Sequence, residues 1–283
     1  IELVHERQLL NNLAAKSTVL AIEDVWTAGY TGSGVAVNHN DGGIDLNGVG
    51  GVTAFPTGTV TATAGTHSST DNAHGTHTAG SVAGRATSVA PPTNTSGCGD
   101  LTTPLTSAKG MAPAATLNSN NLFDPGTTGK TTEDAMMKWG QDNGSQISTN
   151  SWGYTSTYTY SSASATIDRA VRDADTSESG QQPLTIIFAA GNDGSGASTI
   201  GAPGTAKNAL TVGASYNVRC GSYGATYDSG FPGTFTGNLN RVVNFSGRGP
   251  AQGRVKPDLV ATGANVLSYA SDDSQADHSW DET

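Results

Sequence analysis

Short apolar runs, each closed by turn residues, alternate along the chain with stretches of helical period. Gly34-Val35-Ala36-Val37 opens a strand that runs into Asp41-Gly42-Gly43; Leu184 to Ala190 reads as a buried strand, and Ala209 to Ala214 as another. Ala163, Ile167, Ala170, Val171 and Ala174 recur at i, i+4, i+7, i+8 and i+11, the apolar stripe of one helix. A second helix is predicted between Gly129 and Asn143, carrying Ala135, Met136 and Trp139, with Thr131 or Thr132 as its N-cap. This alternation predicts an α/β fold with a central, mostly parallel sheet and helices on both faces. Binding sites in such sheets form at the carboxyl ends of the strands. Residues 85–109, with two adjacent prolines and many Thr and Ser, and residues 216–240, rich in Gly, Tyr and Asn, read as surface loops. Residues 1–16, with Leu9, Leu10 and Leu13, read as a helix or as the remnant of a processed propeptide. No repeat of roughly 20–50 residues is present, which excludes solenoids and propellers.

Composition narrows the function classes. The 283 residues carry 24 acidic against 14 basic side chains, a formal charge of −10. Nucleic acid is excluded as a partner, because phosphate binding needs a basic face. No stretch of about 18 apolar residues is available to span a membrane as a helix. The abundance of Ser, Thr, Asn and Gly with few Lys fits an extracellular protein. Cys98 and Cys220 are the only cysteines, and a disulfide and two free thiols are both open.

Three motifs carry candidate chemistry. In His74-Gly75-Thr76-His77 an imidazole is followed by small residues, as expected at a helix N-terminus where neighbours must approach closely. Histidine is the side chain best suited to move protons near neutral pH. The same spacing also suits a metal pair or two structural histidines. Asp41-Gly42-Gly43-Ile44-Asp45 is either a turn or a strand end whose carboxylate orients an imidazole. Phe188-Ala189-Ala190-Gly191-Asn192 is a strand followed by a turn, or a smooth wall with an amide at its rim placed to donate to a developing oxyanion.

Their order along the chain resembles the subtilase family. Gly34 to Asp45 matches that family's catalytic-Asp strand without gaps, His74-Gly75-Thr76-His77 its catalytic-His motif, and Asn150-Ser151-Trp152-Gly153 its substrate-binding strand. Ala189-Ala190-Gly191-Asn192 matches the pocket wall and oxyanion Asn. Gly110-Met111-Ala112-Pro113, Ala202-Pro203-Gly204 and Phe245 to Pro250 match structural landmarks, the last resembling the alkaline branch. The resemblance implies a subtilisin-like three-layer fold over residues 17–283. It assigns general-base work to His74, orientation of His74 to Asp41 and oxyanion binding to Asn192. Ser151, Trp152 and Gly153 would bind the substrate main chain, and Ala189, Ala190 and Gly191 would line a roomy apolar pocket. A secreted endopeptidase with broad specificity, acting on proteins or peptides, is the activity implied. Structural Ca²⁺ is implied as well; Asp272, Asp273 and Asp277 form an acidic cluster better read as a solvated loop, and no metal ligands are assigned.

Departures from the family pattern set further expectations. Residues 38–40 are Asn, His and Asn where the family strand is apolar, so each needs a buried partner, with His39 read as a hydrogen-bonded structural histidine. Gly42 stands where Ser, Thr or Asp is usual. The family's Gly-Thr-Ser-Met-Ala nucleophile segment does not occur and is expected after Thr283, on a further part of the same precursor that would also cover the sheet. The competing readings are an inactive, truncated subtilase serving as a binding module, and an acidic metal-binding protein using His74 and His77.

Overall fold

The computed structural model describes residues 22–46, 55–67, 73–86, 108–154, 156–216, 241–263, 266, 268 and 269. Residues 1–16, Cys98, Cys220, most of 216–240, and Asp272, Asp273 and Asp277 lie outside the described residues.

In chain order the elements are α1 (Ile22–Thr27), β1 (Ala36–Asp41), β2 (Val60–Ala64), α2 (Ala73–Ala83), β3 (Arg85–Ala86), β4 (Ala108–Lys109), β5 (Thr116–Asn121), α3 (Glu133–Asp142), β6 (Ile147–Asn150), α4 (Ser162–Ala170), β7 (Thr185–Ala189), β8 (Leu210–Ser215) and β9 (Leu259–Thr262). Seven strands form one sheet in the order β2-β5-β1-β6-β7-β8-β9, parallel at every pairing. From β1 the chain lays β2 and β5 on one side and β6 to β9 on the other, so the strand order reverses at β1. The carboxyl end of β1 is therefore where a parallel sheet opens a crevice.

The two faces are covered differently. On one, α2 packs Ala79 and Ala83 over Val37, Leu117 and Ile44. On the other, Met136 and Met137 of α3 and Ile167 of α4 pack over Ile186 and Phe188. Thr132 caps α3, its Oγ1 accepting from the Ala135 N–H at 3.3 Å. The predicted α4 stripe ends early: Ala163, Ile167 and Ala170 are buried within the helix, whereas Val171 is its C-cap and Ala174 is buried beyond it. The loop expected over residues 85–109 is corrected at its ends, where Arg85 and Ala86 pair antiparallel with Lys109 and Ala108.

The polar strand β1 finds its partners across the sheet. Successive strand residues face opposite sides, so Asn38 and Asn40 point to the α3 face. Asn40 Nδ2 donates to Ser148 Oγ at 3.2 Å and to Asn150 Oδ1 at 3.1 Å, and Asn120 Nδ2 donates to Asn40 Oδ1 at 3.2 Å. Asn38 Nδ2 donates to the Met136 carbonyl at 3.1 Å, where α3 rides so close that any side chain at Gly140 would strike the Asn38 amide. Each of these amides left alone would cost about 1–3 kcal/mol. Joined in a ladder they tie three strands and a helix together beneath the crevice.

Candidate active site

Asp41 is the last residue of β1 and His74 the second of α2. The link between them is a tight backbone approach. Gly43 has φ +90°, a left-handed conformation that favours glycine. A methyl on Gly75 would run into the Gly43 carbonyl, so both glycines are needed to bring the loop against the start of α2. The Asp45 N–H then donates to Thr76 Oγ1 at 2.8 Å and fastens the loop to the helix.

That approach puts His74 Nδ1 2.6 Å from Asp41 Oδ1, with the Asp41 side chain 1% exposed and the His74 side chain 55% exposed. Asp41 Oδ1 also accepts from the Gly42 N–H at 2.7 Å, and Oδ2 accepts from Thr78 Oγ1 at 3.0 Å. Burial would raise the Asp41 carboxyl. The hydrogen bond and charge of His74, the charge of His39 when protonated, and the Gly42 N–H overcome it and hold the carboxyl below its ordinary value. A buried carboxylate that accepts from Nδ1–H fixes the tautomer and leaves the lone pair on Nε2, the arrangement of a general base.

Thr78 is a contributor that the sequence motifs did not single out. It lies four residues after His74, hence on the same face of α2, and that spacing is the signal that could have found it. His39 is 1% exposed on the α2 face of β1, with Nδ1 3.2 Å from Ser119 Oγ and Nε2 2.9 Å from Thr78 Oγ1. Burial lowers its ring to about 4, against the pull of Asp41. His77 does not share a site with His74: its Nε2–H donates to the Val266 carbonyl at 3.0 Å. Among the described residues no group of three or more His, Cys, Asp or Glu side chains is gathered to hold a metal ion.

The other predicted residues lie along the same sheet edge. Asn40 pairs with Asn150 and Asn150 with Phe188, so Asp41, Ser151 and Ala189 take the next row, neighbours being about 4.8 Å apart. Ser151 and Gly153 are exposed; Trp152 is half-buried with its ring edge-on to Phe188 at 5.2 Å. Ala189 and Gly191 are half-buried, whereas Ala190 is 2% exposed and packs inward against Ile200 and Ala251. The wall is braced by the turn at Gly247, whose N–H donates to the Gly191 carbonyl at 2.8 Å. Asn192 is exposed just past β7. The structure thus joins Asp41 and His74 directly and sets Asn192 two strands away on the same edge, with no hydrogen bond to either among the described residues.

The sequence profile of the subtilase family matches residues 34–282. The chain is 32% identical over 231 residues to Subtilisin Savinase of Lederbergia lenta, covering 76% of this chain and 72% of that protein. It is 28% identical over 217 residues to Serine protease AprX of Bacillus subtilis (strain 168), covering 73% and 41%. An alkaline protease of Shouchella clausii is 32% identical over 231 residues, covering 76% and 51%. The chain therefore spans less than two thirds of the length of two of these three relatives. Among solved structures, Sphericase matches with a TM-score of 0.54 at 23% identity, covering 85% of this chain and 69% of that one. The prenylagaramide maturation protease PagA matches with a TM-score of 0.54 at 17% identity, covering 90% and 72%.

Proposed function

The chain belongs to the subtilase family, and from that premise we propose that it carries most of the catalytic domain of a secreted serine endopeptidase. The observation that carries the proposal is the 2.6 Å contact between a buried Asp41 carboxylate and an exposed His74 ring at the point where the strand order reverses. His74 Nε2 takes the proton of a nucleophilic serine as it attacks the substrate carbonyl, and returns it to the leaving amine. Asp41 holds the ring and stabilises the imidazolium. The serine is that of the family's Gly-Thr-Ser-Met-Ala segment, which does not occur within residues 1–283. Asn192, at the rim beyond β7, donates its amide to the oxyanion, a type of contact that contributes about 10²–10³-fold to kcat.

Ser151, Trp152 and Gly153 take the substrate as an added strand, reading its main chain and not its side chains, which makes specificity broad. Ala189 and Gly191, backed by the inward-packed Ala190, offer small, uncharged surface to the residue before the scissile bond, which favours large apolar or aromatic side chains there. Structural Ca²⁺ belongs to this reading through the family alone: the described residues contain no fitting cluster, and no catalytic step depends on it. Digestion of a denatured protein by the full-length enzyme, with the cleavage sites mapped by mass spectrometry, tests the reading. Cuts after Leu, Phe, Tyr and Met across many sequence contexts are expected. Cuts confined to Lys or Arg overturn the pocket assignment, and no cleavage overturns the activity.

A further inference from the structure

We propose that Thr78 and His39 are positioning residues for this reaction: His39 donates Nε2–H to Thr78 Oγ1, and Thr78 donates its hydroxyl proton to Asp41 Oδ2, fixing the carboxylate against His74. The proposal rests on the peptidase reading above for its kinetic consequences, but its geometry stands without it.

Proton counting gives the direction of each bond. Thr78 Oγ1 has one proton and three acceptors within reach: Asp41 Oδ2 at 3.0 Å, and the His74 and Gly75 carbonyls, each at 3.2 Å. The ionised acceptor is the strongest of the three. With its proton committed to Asp41, Thr78 meets His39 Nε2, 2.9 Å away, only as an acceptor, so Nε2 bears hydrogen. The His39 ring is buried and neutral near pH 7, so Nδ1 is then unprotonated and accepts from Ser119 Oγ at 3.2 Å. The result is one directed chain, Ser119 to His39 to Thr78 to Asp41, ending on Oδ2, the carboxylate oxygen not used by Gly42 and His74. Among the described residues His39 is the one side chain placed to donate to Thr78 Oγ1, and its Nε2–H fixes the oxygen's lone pairs so that the hydroxyl proton faces Asp41 in preference to the two helix carbonyls.

Among the described residues, the other histidines near this cluster are His67, after β2, and His77, on α2, and the buried Asp45 is fastened to α2 through Thr76. Burial lowers both rings, so they are neutral when the site is active.

A carboxylate that loses a donor binds its remaining partner more strongly. Thr78→Val in the full-length protein is therefore expected to move the His74 Nδ1–H proton resonance downfield. It should also shift the acid limb of kcat/KM to higher pH by about half a unit, with KM unchanged. Thr78→Ser keeps the hydroxyl and stays at the wild-type values. His39→Leu shifts both readouts in the same direction as Thr78→Val but less, and adds nothing in a Thr78→Val background, because it acts only through that hydroxyl. A structural role for His39 would instead give additive losses in stability and leave the resonance in place. Unchanged resonance and pH profile in Thr78→Val, or an additive shift in the double variant, overturns the relay. A wild-type protein without peptidase activity removes the peptidase reading, and the resonance still decides the relay.

Discussion

Asp41→Asn in the full-length protein is expected to lower kcat by about 10⁴-fold while KM changes little. The carboxamide fits the same space and can still accept from the Gly42 N–H. What it cannot do is accept from Nδ1 on both orientations without cost. Turned with its oxygen in the Oδ1 place, it keeps the Gly42 N–H and Nδ1–H but sets an uncharged NH₂ against Thr78 Oγ1. Turned with its oxygen to Thr78, it presents the NH₂ to His74 Nδ1, 2.6 Å away in the native pair. The ring then holds its proton on Nε2, the nitrogen that has to receive the serine proton. The imidazolium formed during attack also loses its counter-charge. Binding of substrate along Ser151–Gly153 is untouched, which is why the loss falls on kcat. Steady-state kinetics on a peptide anilide checks it; a fall smaller than tenfold contradicts the role given to Asp41.

Acid is expected to destabilise the protein well before its carboxylates titrate, and His39 is the largest named cause. Its ring is lowered to about 4 by burial, from an ordinary 6.5. Between those values the unfolded chain carries a proton at this position that the native protein refuses. Stability therefore rises with pH across this window and falls as pH drops from 6.5 toward 4, the loss at this single residue amounting to about 3 kcal/mol. His67 and His77, also lowered by burial, act with the same sign. Asp41, whose carboxyl is lowered, adds stability above its ordinary value that is lost at still lower pH. Urea unfolding at pH 7 and pH 4 should show His39→Leu losing less stability than the wild type by about this amount. Equal acid losses in the two proteins would contradict the burial of a neutral ring.

How far the sequence foretold the structure depended on whether a signal was local. The strand at 185–189, the Thr132-capped helix and the parallel sheet followed from apolar period and capping residues, which act within a few positions. The strand at 36–41 was signalled by the apolar run Val35 to Val37, but its second half runs against propensity, since Asn-His-Asn-Asp favours turns. It forms because Ser148, Asn150 and Asn120, 80 and more residues away, supply its hydrogen bonds. Asp41 and His74 were legible because glycines flank both, a trace of the close backbone contact at Gly43 and Gly75. Thr78 was not, because a hydroxyl inside a helix has no distinctive context until the carboxylate opposite it is known. Nor was the inward packing of Ala190, which depends on Ile200 and Ala251 arriving from a later part of the chain.

The central claim is that the pair at positions 41 and 74 activates a serine. Labelling of the full-length protein with a fluorophosphonate probe, followed by peptide mapping, tests it most directly, because the probe reacts only with a serine whose proton is being withdrawn. One labelled serine, with labelling abolished in His74→Ala, is the predicted result. Absence of label in the wild type, or equal labelling in His74→Ala, would contradict it.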